Sequence, residues 1–204
     1  MDRIENITEL PNEILWEIFG YLSTKDVLRN VAQVSRKFHK LTQDQFLIRK
    51  IEVDTKSWHK LTEQQQEKYC NDILEVCKRS QKLTFFSLDL AILTDRYSMI
   101  MNALKYLRQC PRLKILKLNF RGFGFLHFLD FAFEHENLRE LHLNCWTMEK
   151  SSFKKSLERI LGNFPKLQYL YVSSDWIYGV WSEYCEISQK IASERNVKIE
   201  IHKS

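Results

Sequence analysis

The chain has 204 residues and a formal net charge of +5, and 44% of its residues are hydrophobic. This composition excludes a disordered polypeptide and provides enough apolar side chains for a packed core. With only 5 glycines and 3 prolines, a turn-rich sandwich or barrel is disfavoured, and helices joined by short connections are expected.

The first predicted element is an amphipathic helix between Pro11 and Leu22. Its apolar residues recur at the spacing of one helical face, and Pro11 suits the first turn because no N–H is needed there. Ser23 and Asp26 then match a capping box that opens a second helix, and a third helical stretch is expected over residues 35–51. Three consecutive short helices are compatible with a plain bundle, a helix-turn-helix or a docking module.

The residues of these helices resemble the F-box family in nearly every position of its pattern. The family pattern combines a Leu-Pro pair, an Ile-Leu pair, a Phe-x-x-Leu, an Asp-Leu and a closing Val-Cys-Arg-x-Trp. In this chain the matching residues are Leu10, Pro11, Ile14, Leu15, Phe19, Leu22, Asp26, Val27, Leu28, Val34, Ser35, Arg36 and Phe38. Ser35 and Phe38 replace the cysteine and tryptophan that the family usually carries. The resemblance implies docking on the Skp linker subunit of ubiquitin ligases and, through Skp, on a cullin.

The candidate Skp contacts are apolar residues that one small bundle cannot bury completely by itself. They are Leu10, Pro11, Ile14, Leu15, Ile18, Leu28 and Val31. Some of them must form the internal core of the module, and the sequence does not separate the two groups. A DNA-binding helix-turn-helix is the weaker interpretation, because the module is slightly acidic and DNA recognition needs a positive face. No nucleic-acid partner is therefore expected.

The rest of the chain repeats the short pattern L-x-x-L-x-L. Copies begin at residues 48, 83, 113, 138 and 167, and a final apolar alternation at 197–201 predicts a closing strand. Helical stretches separate the copies, and the first of them opens with a capping box formed by Thr62 and Gln65. A strand followed by a helix, repeated at this period, is the leucine-rich-repeat unit. The whole chain thus resembles the F-box/leucine-rich-repeat class.

The predicted fold is an α+β chain of two parts. Residues 1–50 form a three-helix F-box module, and residues 51–204 form a short α/β leucine-rich-repeat solenoid with a parallel, concave sheet. The repeats are degenerate, so an α/β layer with unrelated strands is the alternative. An aromatic group is expected to cap the open end or to extend the binding surface: Trp176, Tyr178, Trp181 and Tyr184.

Residues that alternate with the leucines are expected to face the concave surface, where a substrate would bind. The candidates are Phe85, Ser87, Ile115, Lys117, Glu140, His142, Tyr169 and Tyr171. Coverage of some of them by loops or by the C-terminal tail is the alternative. The substrate is expected to be an unidentified protein, and the positive surplus of residues 55–204 favours an acidic or phosphorylated one.

No sequence pattern of a catalytic, metal-binding or cofactor-binding site is recognisable. Gly122 and Gly124 lack the third glycine of a dinucleotide site, and no histidine pairs with a cysteine at zinc spacing. The expected function is a non-catalytic substrate-recognition adaptor of a Skp–cullin–F-box (SCF) ubiquitin ligase, without cofactor or metal. The alternative is a Skp-binding scaffold or competitor without ligase activity. The odd number of cysteines and the absence of an apolar signal or membrane segment predict a cytoplasmic or nuclear protein with no membrane partner.

Overall fold

A computed structural model describes residues 6–22, 26–42, 49–54, 62–80, 82–89, 105–124, 134–178 and 181–203. A 3-10 turn (Ile7–Glu9) and a π-helical segment (Val27–Val31) accompany the helices of the N-terminal part. The helices are α1 (Asn12–Gly20), α2 (Ala32–Val34), α3 (Arg36–Thr42), α4 (Glu63–Arg79), α5 (Lys150–Asn163) and α6 (Trp181–Arg195). The strands are β1 (Lys50–Asp54), β2 (Phe85–Asp89), β3 (Ile115–Gly124), β4 (Glu140–Glu149), β5 (Tyr169–Tyr178) and β6 (Lys198–Lys203).

The N-terminal helices share a small apolar core. Helix α1 buries Leu15 and Phe19, and the Phe19 ring meets Phe38 of α3 edge to face, with 5.0 Å between ring centroids. Val27 and Leu41 are buried in the same core. Aromatic pairs in this arrangement stabilise a core by about 0.5–1.5 kcal/mol beyond the burial of their area. The module is therefore held together by a few large side chains, which leaves other apolar residues outside.

The third helix is shorter than the predicted stretch of residues 35–51. It begins after Ser35, whose hydroxyl accepts the N–H of Phe38 at 3.1 Å, and it ends at Thr42. Ile51 lies in β1 instead, because a short apolar run fits either spacing and parallel pairing with β2 decides for the strand. The prediction of a helix up to residue 51 was wrong for this reason. The capping box predicted at Ser23 lies outside the described residues.

All six predicted strands occur, and they form one parallel sheet in the order β1-β2-β3-β4-β5-β6. The sheet is not closed, and β1 and β6 are its edges in the described part of the chain. The strand register aligns the apolar residues into two continuous rows across the sheet. The first row is Ile51, Phe86, Leu116, Leu141, Leu170 and Ile199, and the second is Val53, Leu88, Leu118, Leu143, Val172 and Ile201.

The backbone enters consecutive strands with the same hydrogen-bond geometry. The carbonyl of Arg49 accepts the N–H groups of Thr84 and Phe85 at 2.8 and 3.1 Å. Carbonyls at the equivalent positions repeat this double contact with the next strand, namely those of Thr84, Lys114 and Arg139. The carbonyl of Gln168 likewise accepts the N–H of Lys198 at 2.9 Å. The sheet is thus built from one strand-entry unit used repeatedly.

Helices cover the face of the sheet that carries the two apolar rows. Helix α4 contributes buried Ile73 and Cys77, α5 contributes Phe153, and α6 contributes Tyr184 to the common core. The predicted capping box of α4 is confirmed, because Thr62 Oγ1 accepts the Gln65 N–H at 3.3 Å and the Gln65 side chain accepts the Thr62 N–H at 3.0 Å. Helices on one side only leave the opposite face of the sheet uncovered in the described part of the chain.

The predicted C-terminal aromatic group is divided by the fold. Tyr184 is fully buried against Phe153, with 4.9 Å between ring centroids, whereas Trp181 is 37% exposed. Tyr184 therefore belongs to the helical side of the core. The side chains of Trp176 and Tyr178 lie outside the described residues.

A buried histidine connects the turns that precede the strands. His135 Nδ1 accepts the N–H of Asn137 at 3.2 Å, and Nε2 lies 2.9 Å from the carbonyl of Cys110 as a donor. The side-chain amide of Asn137 donates to the carbonyl of Pro111 at 3.0 Å, and Lys166 Nζ donates to Asn137 Oδ1 at 2.9 Å. Because Nδ1 accepts a hydrogen bond, the ring is neutral, and burial lowers the pKa of His135 below its ordinary 6.5.

Acidification is expected to destabilise the protein through His135. His135 has a lower pKa in the folded state than in the unfolded state. The stabilisation by its neutral ring is therefore complete above about pH 6.5, and it is lost below that pH as the unfolded chain takes up the proton. Urea unfolding at about pH 7.5 and about pH 5.5 should show a smaller acid-induced loss of stability for His135→Gln than for the unsubstituted protein. Equal losses in the two proteins would contradict this assignment.

Candidate functional site

A group of large apolar side chains is exposed on the N-terminal module. Ile14, Ile18 and Tyr21 follow one another at helical spacing on and just after α1, and Tyr21 is 91% exposed. We call this group the docking face; its members are Ile7, Ile14, Ile18, Tyr21, Leu22 and Val34. The only other large hydrophobic residue with comparable exposure in the described ranges is Trp181. Soluble monomers rarely expose several large apolar residues along one helix without a binding role, so Ile14, Ile18 and Tyr21 make α1 a candidate interaction surface.

The structure divides the predicted Skp contacts between this surface and the core. Pro11, Ile14 and Ile18 are exposed, and Leu10 is half-buried. Leu15 and Val31 are buried within the chain, at 0% and 9% exposure, and they serve the module's own core. The side chain of Leu28 lies outside the described residues. Sequence spacing alone could not separate the two groups, because both faces of α1 are apolar.

The sequence prediction omitted four residues of the docking face: Ile7, Tyr21, Leu22 and Val34. Tyr21 and Leu22 continue the apolar spacing of Ile14 and Ile18, so helical periodicity contained a signal for them. Ile7 and Val34 lie beyond α1, and only the folded module shows their exposure.

A lysine fixes the N-terminal segment to the third helix. Lys37 Nζ donates hydrogen bonds to the carbonyl of Thr8 at 2.7 Å and to that of Leu10 at 2.9 Å. Asn6 closes the preceding turn by accepting the N–H of Thr8 at 3.0 Å. These contacts hold the segment that carries Ile7 beside α1 and α3. Lys37 is thus a positioning residue for one edge of the docking face.

Replacement of Lys37 by methionine is expected to destabilise the module while keeping most of its apolar stem. Loss of two hydrogen bonds from a charged donor should lower the free energy of unfolding by about 1.5–3 kcal/mol. Lys40→Met, at an exposed position of the same helix, is the matched control and should change it by less than about 0.5 kcal/mol. Chemical denaturation measures the free energy of unfolding of both variants. Similar effects of the two substitutions would contradict the role of Lys37.

The uncovered side of the sheet is lined by the residues that alternate with the two apolar rows. We call this surface the open face; its described residues are Lys50, Glu52, Phe85, Ser87, Asp89, Ile115, Lys117, Asn119, Glu140, His142, Asn144, Tyr169, Tyr171, Ser173, Lys198, Glu200 and His202. All eight predicted substrate-binding residues belong to it, and strand pairing brings them into two adjacent rows. All eight lie on β2 to β5 and are half-buried.

Aromatic and charged groups interlock on the open face. Lys50 and Lys117 place their ammonium groups 4.9 and 5.6 Å from the centroid of the Phe85 ring. At the other end, the Tyr169 hydroxyl donates to Glu200 at 2.8 Å, and Lys198 forms an ion pair with Glu200 at 2.6 Å. Lys198 and the Tyr169 hydroxyl lower the pKa of Glu200 to about 2, while burial and the Glu200 contact raise the pKa of Tyr169 to about 12. Glu200 is therefore ionised throughout the physiological range.

A shallow groove of about 240 Å³ crosses β2 to β5 on the open face. His142 lines the groove, and its ring centroid lies 5.3 Å from that of Tyr169 and 5.6 Å from that of Tyr171. Tyr171 in turn stacks on His202 at 4.9 Å. Burial, followed by the charge of Lys117, lowers the pKa of His142, so the ring is neutral near pH 7. The groove thus offers the rings of His142 and Tyr171 beside polar side chains.

The described residues hold no metal-binding cluster, and the two buried thiols among them are not activated. No group of three or more His, Cys, Asp or Glu residues in these ranges is arranged to hold a metal ion. Burial raises the pKa of the Cys110 thiol to about 11 and that of the Cys77 thiol still further, so both thiols stay protonated and are poor nucleophiles. Within the same ranges, no helix has the length and apolar character to cross a membrane.

Comparison with known families identifies the N-terminal module. The F-box-like family model matches residues 7–53, from the 3-10 turn through α3 and into β1. No curated protein shows a significant match to the chain. The module carrying the docking face is thus F-box-like, which supports an F-box protein. An F-box domain suggests docking on a Skp subunit in an SCF-type complex, and F-box proteins are generally non-catalytic adaptors.

Proposed function

We propose that the protein is the substrate receptor of an SCF ubiquitin ligase, which docks on Skp through the docking face and holds a protein substrate on the open face. The observation that carries the proposal is the exposure of the docking face on an F-box-like module. Docking of this module joins the chain to a Skp subunit and, through Skp, to a cullin. The chain itself contributes binding and no chemistry.

The energetics of the docking face support burial by a partner. Complete burial of a large aliphatic or aromatic side chain is favourable by about 1.5–3 kcal/mol. Ile14 and Ile18 project from a regular helix whose adjacent side is anchored in the core by Leu15 and Phe19. The surface is therefore presented on a rigid element, and binding loses little conformational entropy.

The sheet region supports the receptor half of the proposal. Its parallel strands follow chain order, and the strand-entry geometry repeats with the spacing of the leucine pattern. Both features are typical of a leucine-rich-repeat solenoid, in which stacked units expose one continuous binding surface. Here that surface is the open face, with Phe85, Tyr169 and Tyr171 as aromatic anchors.

Proximity is the mechanism that such an adaptor provides. A substrate held on the open face, with the docking face fixed to Skp, reaches an effective concentration near the ubiquitin-conjugating enzyme of about millimolar order. The rate of transfer then depends on how long the substrate stays bound. Cullin recovery with the purified complex distinguishes a ligase receptor from a scaffold that binds Skp alone.

Alanine substitutions of Ile14 and Ile18 are expected to abolish Skp binding without unfolding the chain. Both side chains are exposed in the free protein, and alanine favours helix formation, so the thermal midpoint should not fall. Loss of two buried aliphatic contacts should weaken the complex by about 100-fold or more. Co-expression with Skp followed by gel filtration measures the complex.

Trp181→Ala is the matched control, since it removes an exposed apolar side chain from α6. It should leave the Skp complex intact. A double variant that binds Skp as well as the unsubstituted protein, or an unsubstituted chain that ignores Skp, would contradict the proposal.

A further inference from the structure

The open face differs in charge from the chain as a whole. The chain carries a net charge of +5, but the acids Glu52, Asp89, Glu140 and Glu200 outnumber the lysines on the open face. Its lysines are Lys50, Lys117 and Lys198. Lys50 and Lys198 are already paired, with Glu52 at 3.0 Å and with Glu200 at 2.6 Å. The same contacts neutralise Glu52 and Glu200, which leaves Asp89 and Glu140 against Lys117 on the described part of this face. The positive surplus of the chain therefore lies elsewhere, and the open face suits a basic ligand better than an acidic one.

Two amide oxygens of residues that line the groove lack a hydrogen-bond partner. Among the described residues, Asn119 Oδ1 and Asn144 Oδ1 are buried and accept no hydrogen bond. The two residues are paired across β3 and β4, so their amides stand side by side. Rotation of either amide lets its oxygen accept from a donor in the groove, which removes the penalty of an unpaired buried acceptor. Asp89 adds a carboxylate to the same lining.

Aromatic surfaces and carboxylates meet beside these amides. His142 and Tyr171 line the groove, and Glu140 Oε2 lies 3.7 Å from His142 Nε2, beyond hydrogen-bond distance. Among the described residues, that Nε2 atom has no hydrogen-bond partner. Aromatic faces next to carboxylates attract cations, and a planar guanidinium both stacks on rings and donates several hydrogen bonds. Lysine is less suitable, because its compact ammonium cannot stack.

We propose that the groove on the open face binds an arginine side chain from an exposed segment of the substrate, stacked against His142 and Tyr171 and held by Glu140. The inference rests on the proposed receptor function and specifies its ligand. Asn119 and Asn144 accept from the guanidinium or from the adjacent main chain. A phosphorylated ligand fits less well, because phosphate sites use arginine clusters and the open face has no arginine among its described residues.

The test uses the full chain purified with Skp and five peptide pools. In each pool, random residues surround a fixed central residue, which is arginine, citrulline, lysine, glutamate or phosphoserine. Citrulline keeps the size and planarity of arginine but removes its charge. Retention of each pool on the immobilised complex is measured against the bare matrix. The arginine pool should be retained about tenfold more than the citrulline and glutamate pools, with lysine between them.

Two variants locate the binding to the groove. Glu140→Gln removes the carboxylate beside His142 without changing the size of the side chain, and it should reduce arginine-pool retention by about fivefold or more. Glu52→Gln is the matched control, since Glu52 is an acid of the same face that belongs to β1 and pairs with Lys50. It should leave retention unchanged. Thermal midpoints of both variants confirm that the sheet is intact.

The opposite results overturn the proposal. Preferential retention of the phosphoserine or glutamate pool, equal retention of arginine and citrulline, equal effects of the two variants, or no retention of any pool would each exclude arginine recognition at this groove. An intact Skp complex in the same samples shows that only the ligand assignment has failed. Loss of Skp binding by the unsubstituted chain would instead contradict the receptor function itself.

Discussion

The fold of the sheet region depends on the parallel register that aligns one leucine-rich position of each strand with the next. This register places the two apolar rows, which begin with Ile51 and with Val53, on one side of the sheet. Helices cover that side, so the rows are almost fully removed from water. A shift of any strand by one residue would turn its apolar side chains to the other face. The hydrophobic effect thus fixes the register, and the alternating residues are left together on the opposite face as a consequence.

The N-terminal module follows the same principle on a smaller scale, with a different outcome. Three short helices do not enclose enough volume to bury all their apolar residues, so Leu15, Phe19 and Phe38 take the interior and Ile14 and Ile18 remain outside. The excess of apolar surface is what makes the module suited to a protein partner. Stability and binding therefore both depend on α1, through two adjacent faces of this helix.

Much of the fold was accessible from the sequence because its signals are local and repeated. All six strands, the capping box of α4 and the eight open-face candidates follow from alternation and spacing alone. The end of the third helix could not be predicted in this way, because Ile51 fits a helical and a strand pattern equally well until its pairing with Phe86 is known. The division between core and docking residues in α1 also depends on tertiary packing, which helical periodicity cannot specify when both faces are apolar.

The charge of the open face shows the limit of composition as a guide to partners. The surplus of lysine and arginine suggested an acidic or phosphorylated substrate, yet the strand register gathers four acids and three lysines on the described part of the open face. Which charges become neighbours depends on the register, since residues far apart in the chain are adjacent across strands. The ligand chemistry can therefore be inferred only from the folded arrangement.

Hydrogen exchange of the chain, alone and with Skp, tests most directly whether the F-box-like module is the docking element. The expected result is slower exchange in residues 7–22 and 26–42 when Skp is added, with unchanged exchange in β4 and β5. Protection confined to the sheet, or no protection anywhere at a saturating concentration of Skp, would contradict it.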